Sequence, residues 1–207
     1  MKKTLLVTYL PSGPKSNSRR LSEHFESFAS RAKNHRLEKL DLLQEQPRFF
    51  DVTSMQAYYA RNYAGKPITP EQTEAIRPLD RMCDRFAEAD VVAMAFPMHN
   101  FGMPGAVKTY FDAVMQKGRT FDYAAGEPVG LMKGKKALVM FTSGGEYDGT
   151  GADWDTLTRL ARIEFEFMGF DEIEVVHSYG MSVPDNKEKS LSAARDRIGA
   201  VADKWLG

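Results

Sequence analysis

The sequence predicts an α/β protein built on a doubly wound, five-stranded parallel sheet in the order 2-1-3-4-5. Two observations carry that expectation. Short apolar runs rich in β-branched and aromatic residues alternate with longer stretches whose apolar residues recur every three or four positions, the patterns of strand and amphipathic helix. The runs are also nearly continuous rather than alternating, which marks strands covered on both faces, as in a parallel sheet. Right-handed crossovers between successive strands then leave few topologies, and 2-1-3-4-5 is a common one for five strands.

Taken in order, TLLVTYL (4–10) is the first strand. It follows two lysines and mimics a secretory signal, but the apolar run is short and no small-residue cleavage site follows, so a strand is the better reading. Leu21, Phe25, Phe28, Ala29 and Ala32 stripe the next helix, which opens near Ser18, and RLEKLDL (36–42) is a weaker second strand. Residues 43–68, with MQAYYARNYAGKP, exceed ordinary connection length. Two readings stay open for them: a lid or binding wall, or a surface helix with its tyrosines packed down. Thr69-Pro70-Glu71-Gln72 is a capping-box start with proline at the first helical position. Ile76, Leu79, Cys83 and Phe86 continue that stripe, with Pro78 expected to kink or restart the helix.

DVVAMAFP (90–97) is the third strand, and Val107, Tyr110, Phe111 and Val114 stripe the helix after it, with Pro104 placed at that helix's first position. A second long connection, 118–134, leads to KALVMFTS (136–143), and IEVVHSYGM (173–181) is the fifth strand. Between these two strands a helix over 153–168 carries an inner stripe of Trp154, Leu157, Ala161, Phe165 and Met168. Ile163 and Phe167 fall outside that stripe, four apart on one side, and a second apolar face points to a partner subunit. Leu191, Ala194, Ile198, Val201, Ala202 and Trp205 stripe the last helix. No repeat, linker or low-complexity segment divides the chain, so residues 1–207 are expected to form one domain.

The totals narrow the function classes. Lys plus Arg equals Asp plus Glu at 28 each, so no charge excess argues for nucleic acid or an acidic membrane surface. The single cysteine, Cys83, excludes an internal disulfide framework and fits a reducing cytoplasm. No run approaches the length of a transmembrane span, and no metal site is expected.

In an open parallel sheet the ligand lies beyond the carboxyl ends of the strands, which directs attention to three loops. The first, PSGPKSNSRR (11–20), offers Ser16, Asn17 and Ser18 at a helix start, where free amides and the helix dipole suit one phosphate. An ordinary capped loop reads the same way. Neither GxxxxGK[ST] nor GxGxxG is present. The second loop, FPMHNFGMPG (96–105), holds backbone and soft apolar atoms but no carboxylate, and the third, TSGGEYDG (142–149), lets backbone amides approach a flat ligand edge at Gly144 and Gly145. Together they describe a pocket for a flat phosphorylated heterocycle, the shape of FMN.

At these loops the chain resembles the FMN-dependent NADH azoreductase and quinone reductase family of flavodoxin-like proteins. The likeness is carried by PMHNF, by KTYFD, by TFDY, by GLMKGKK and by the terminal Gly144-Gly145, and it extends to SNSRRLSEHF. It implies a flavodoxin-like fold and bound FMN contacted by Leu10, Ser16, Asn17, Ser18, Pro97, Met98, His99, Asn100, Phe101, Thr142, Ser143, Gly144 and Gly145. It departs at Tyr9 and Leu10, where many relatives have serine, at His99, where tyrosine is common, and at Tyr147, where histidine is frequent. It further implies that NADH or NADPH reduces the flavin and that a small aromatic acceptor, a quinone or azo compound, reoxidises it in the same slot. Phe101, Phe121, Tyr123 and Phe167 are the candidate walls for those substrates, with Phe167 reaching the site of the other subunit in a homodimer. Hydride transfer between stacked rings needs no strong base, so the proton source is open among His99, Tyr147 and solvent. An electron carrier of the same fold, or a reductase of free flavin or nitroaromatics, is the alternative.

Overall fold

The computed structural model describes residues 1–207. Strands β1 (Lys2–Thr8), β2 (His35–Asp41) and β3 (Val91–Pro97) precede a short hairpin, β4 (Phe121–Ala124) and β5 (Glu127–Gly130), and β6 (Lys136–Thr142) and β7 (Glu172–Ser178) follow it. The main sheet is parallel with the order β2-β1-β3-β6-β7, and the antiparallel hairpin stands apart from it. Removing the hairpin strands from the count turns this order into the expected 2-1-3-4-5. The hairpin itself is new: residues 118–134 read as a plain long connection, because its strands are short and mostly exposed.

The helices are α1 (Asn17–Ala29), α2 (Val52–Tyr58), α3 (Pro70–Glu88), α4 (Gly105–Val114), α5 (Thr156–Met168) and α6 (Pro184–Leu206). Alternation along the strands feeds two cores. Leu5, Val7, Val92, Met94, Phe96, Val139 and Phe141 face α3, α4 and α5, whereas Leu6, Ala93, Ala95, Leu138 and Met140 face α1 and α6. Both faces are dry, which is why the runs read as continuous.

Local details refine several expectations. The Thr69–Gln72 capping box forms, with Thr69 Oγ1 accepting from the Gln72 amide at 3.2 Å and Gln72 Oε1 from the Thr69 amide at 3.0 Å. Helix α3 does not restart at Pro78 but runs unbroken to Glu88; the stripe of Ile76, Leu79, Cys83 and Phe86, all buried, holds it together. Pro104 is the N-cap of α4 rather than its first helical residue. Helix α5 begins at Thr156, three residues later than expected, because Gly149–Trp154 is a 3-10 turn and Asp155 caps the helix by accepting from the Thr158 amide at 3.0 Å. Trp154 therefore leaves the inner stripe and is 59% exposed, while Leu157, Ala161, Phe165 and Met168 are buried as expected.

The long 43–68 connection holds a surface helix with one tyrosine packed down, as the second reading expects. Asp51 and Ser54 form a second capping box that starts α2, which ends in one π-helical turn, Tyr59–Tyr63. Tyr58 packs down and its hydroxyl accepts from the Lys117 amide at 2.9 Å, whereas Tyr59 and Tyr63 stay exposed. Asn62 Nδ2 donates to the Lys117 carbonyl at 2.7 Å and Arg61 pairs with Asp80 at 2.7 Å, so the segment is fastened to the body of the fold.

Candidate functional site at the strand ends

Register brings the three loops together. Pro97 pairs with Thr142 and Thr142 with Ser178, so β3, β6 and β7 end at one level, and Thr8 pairs with Ala95, so β1 ends two residues short of it. Cross-links then tie the loops. The Met98 amide donates to the Thr142 carbonyl at 2.7 Å, and the Ser18 and Thr142 hydroxyls meet at 2.7 Å although 124 residues separate them. Ser18 is fully buried, so its hydroxyl acts as a strut between loops and its amide is the group left to a ligand. Ser16 is the N-cap of α1, accepting from the Arg19 amide at 3.4 Å. The helix accordingly starts at Asn17, one residue before the expected Ser18.

In the second loop His99 and Gly102 exchange two backbone hydrogen bonds of 3.0 Å, and Asn100 and Phe101 between them take φ values of 46° and 68°. That is the two-residue hairpin turn with both centres left-handed, a conformation that costs a residue such as Phe101 conformational energy. Thr156, the first residue of α5, offsets the cost by donating its hydroxyl to the Phe101 carbonyl at 2.6 Å. The turn exposes Asn100 and Phe101, while Met98 packs against the larger core and Leu10 is buried beneath the first loop.

The third loop leaves β6 with Thr142 and Ser143 buried and Gly144 and Gly145 exposed. The carbonyls of Ser143, Gly144 and Gly145 are taken by the amides of Met181, Ser182 and Gly180 at 2.9, 3.1 and 2.9 Å. The amides of Gly144 and Gly145 donate to no protein group, nor do those of Asn17 and Ser18. A side chain at Gly145 would meet the Tyr147 ring at 3.2 Å, and one at Gly144 would meet Ser182 Oγ at 2.9 Å, so both glycines keep the loop closely packed.

Around these loops stands an aromatic group. Phe101 lies 6.1 Å from Tyr147 and 5.1 Å from Trp154, Tyr147 lies 5.7 Å from Tyr179, and His99 sits edge-on to Tyr9 at 6.1 Å. The Tyr179 hydroxyl donates to Asp155, and burial together with that carboxylate pushes its phenol well above the usual tyrosine range. His99 and Tyr147 thus have separate neighbours, and Phe101 joins Tyr147 rather than His99.

The other candidate walls are elsewhere. Phe121 is 6% exposed and contacts Phe167 at 4.8 Å and Tyr123 at 6.0 Å, forming a second group on β4 and the far end of α5. Thr156, beside Phe101, and Phe167 are eleven residues apart on α5, which at 1.5 Å per residue is about 16 Å. One chain therefore does not bring Phe121, Tyr123 and Phe167 beside Phe101. Sequence reasoning missed Tyr9, Trp154, Thr156 and Tyr179 as site neighbours; for Thr156 the capping pattern Asp155-Thr156-Leu157-Thr158 was the available clue.

A doubly wound sheet whose strand-end loops combine free amides with soft apolar side chains defines a nucleotide-type binding protein of the α/β class. The family model of the flavodoxin-like fold matches residues 2–202. An FMN-dependent NADH:quinone oxidoreductase of Azospirillum brasilense is 33% identical over 204 residues, 97% of each chain. Its counterpart in Beijerinckia indica is 32% identical over 187 residues, covering 89% of this chain and 91% of that one. Among solved structures, an FMN-dependent NADH-azoreductase of Bacillus anthracis in complex with FMN superimposes with TM-score 0.89 at 25% identity over the whole of both chains. A Bacillus anthracis azoreductase gives TM-score 0.90 at 28% identity, covering 99% of this chain and all of that one. The chain belongs to the flavodoxin-like family of FMN-dependent NADH:quinone oxidoreductases and azoreductases.

Proposed function

We propose that the chain is an FMN-dependent NAD(P)H oxidoreductase that passes two electrons to quinones or azo compounds, with NADH or NADPH and the acceptor occupying one slot in turn. The observation that carries this reading is the set of unused amides beyond β1 and β6, the two strands that flank β3: Asn17 and Ser18 on one side and Gly144 and Gly145 on the other. The first pair opens a 13-residue helix whose dipole favours a phosphate. The second pair suits the polar edge of a flavin ring, where preorganised donors stabilise negative charge as it develops. Between them, Pro97, Met98 and Phe101 supply soft apolar surface, and the stretch holds no carboxylate. The residues present fit FMN.

When bound, FMN supplies reversible hydride chemistry between the nicotinamide and the acceptor. The protein's part is to hold and orient. Phe101, fixed by Thr156, and Tyr147, seated on Gly145, flank the slot, and His99 or Tyr147 can hand a proton to the acceptor at its rim.

A homodimer completes the site in this reading. Phe167 lies about 16 Å along α5 from Thr156, which holds Phe101, and Phe121 and Tyr123 cluster with Phe167, so the three serve as walls only if a two-fold axis carries them to the partner's slot; exposed Ile163 and half-exposed Phe167 give that axis an apolar face. Arg20 and Arg61 are held by Glu188 and Asp80 rather than free to meet a 2′-phosphate, and the relatives are named for NADH, which together favour NADH. No helix is long and apolar enough to cross a membrane, and with the one thiol buried the cytoplasm is the compartment we assign.

The test is anaerobic. The purified protein should be yellow, bleach on addition of NADH and recolour with a quinone, and it should sediment as a dimer. A colourless protein that ignores added FMN would overturn the function; a monomer with full FMN occupancy and full turnover would overturn the shared site.

A further inference from the structure

Helices α4 and α5, the aromatic segment 49–63 and the start of β4 enclose a groove of about 550 Å³, eight of whose twelve lining residues are hydrophobic. Phe49, Phe50, Tyr58, Phe121 and Phe167 give it flat apolar walls. Against them stands one buried acid. Glu164, 5% exposed, lies on α5 one turn before Phe167, and its Oε2 has no hydrogen-bond partner. The titratable groups facing it are Lys108 and Asp112 from α4 and Tyr58 and Tyr63 from the 49–63 segment. Lys108 Nζ is 3.7 Å from Glu164 Oε1, beyond hydrogen-bonding distance, and spends its close contact on Asp112. The ion pair of Glu164 with Lys108 is thus a long one, and it leaves Oε2 without a partner.

We propose that this groove is a binding site for flat aromatic compounds bearing a carbonyl oxygen or azo nitrogen, and that protonated Glu164 donates the hydrogen bond that orients them. The chemistry is complementary. A quinone carbonyl or an azo nitrogen accepts a hydrogen bond and has none to give, while a neutral carboxylic acid has a proton to give, and Glu164 Oε2 meets no protein partner. Burial pushes the Glu164 carboxyl up to about 7, with Lys108 opposing and Asp112 reinforcing, so the neutral acid is populated at physiological pH. An unpaired donor or acceptor in such surroundings is costly, which favours occupation by a ligand of this class. The assignment to acceptor binding rests on the reading of the chain as a quinone and azo reductase, because Phe121 and Phe167 are the walls expected at the partner's slot. Glu164 brings to those walls the one polar group that grips the acceptor.

The experiment measures binding without turnover. FMN-loaded protein is titrated with menadione by calorimetry, in the absence of NADH, from pH 6 to pH 8. Binding that requires the neutral acid should be about tenfold weaker at pH 8 than at pH 6 for a group titrating at about 7. Glu164→Gln keeps a donor but does not titrate, and should bind menadione with the same affinity across the range. Glu164→Leu should bind weakly throughout, and Phe167→Ala should weaken binding at every pH. Affinity in the wild type that does not change with pH, or a pH profile that survives in Glu164→Gln, would overturn the proposal. Bleaching of the same samples by NADH separates the two ideas: loss of bleaching with an intact menadione profile would fail the enzyme reading alone.

Discussion

Substituting Gly130 by alanine should detach the β4–β5 hairpin from the fold. Gly130 lies directly against the end of α5, and a Cβ there would fall 2.3 Å from the Gly169 nitrogen and 2.4 Å from both the Gly169 Cα and the Met168 carbonyl carbon. These are backbone atoms, so no rotamer change relieves the clash. Ordinary contact begins near 3.4 Å, and 3.4 minus 2.3 requires the two segments to part by 1.1 Å. The hydrogen bond from the Met132 amide to the Met168 carbonyl, now 2.8 Å, would then be lost. That loss costs about 1 kcal/mol. Phe121, buried at 6% exposure against Phe167, would lose part of a burial worth about 1.5–3 kcal/mol. The expected destabilisation is about 2–4 kcal/mol, read as a lowered urea midpoint at unchanged slope. FMN affinity should hold while the Michaelis constant for quinone rises, because the hairpin carries the proposed acceptor walls and none of the three strand-end loops. A Gly130→Ala protein within about 0.5 kcal/mol of wild type, the usual scatter for neutral surface changes, would refute the reasoning.

Two further expectations concern buried titratable groups. Glu164 has its carboxyl raised from 4.5 to about 7 in the fold, so the folded state keeps a proton the unfolded chain has released, and stability should fall as pH rises from 4.5 to about 7 and level off above; the full fall is about 3 kcal/mol. Glu164→Gln should abolish that slope in urea titrations at pH 5 and pH 8, and a slope equal to wild type would exclude Glu164 as its source. Burial pushes the Cys83 thiol up to about 12, and its Sγ lies 3.4 Å from the Val114 carbonyl, so a disulfide reagent should label it only as fast as the protein unfolds; rapid labelling in buffer would contradict its burial.

The sheet was legible because hydrophobic burial on two faces writes itself into the strands. In VVAMAF every residue is apolar, with Val92, Met94 and Phe96 serving one core and Val91, Ala93 and Ala95 the other. The start of α3 was legible because Thr69 and Gln72 satisfy each other within four residues. The hairpin was not, since Asp122, Tyr123 and the residues of β5 are mostly solvated and what docks it is a glycine-to-glycine approach between Gly130 and Gly169. Trp154 was misplaced because a helical period was extended backwards through Gly149–Trp154, a 3-10 turn. For the candidate site, the place of the three loops at strand ends was legible, but the pairings within them run across the chain. Ser18 gives its hydroxyl to Thr142, and no local pattern announces that. Glu164 was likewise hidden: in RIEFEF it looks like an ordinary surface acid, and only α4 packing over it makes it a buried one.

The strut between Ser18 and Thr142 also bears on how the molecule matures. It joins the first loop to the third across 124 residues, and Met98 closes the gap between them from the middle of the chain. A ribosome must release everything through β6 before these loops can meet, and contacts so distant in sequence form late. Flavin capture would then mark the moment the central sheet has closed, and the change in flavin fluorescence on capture would time that closure in a refolding sample.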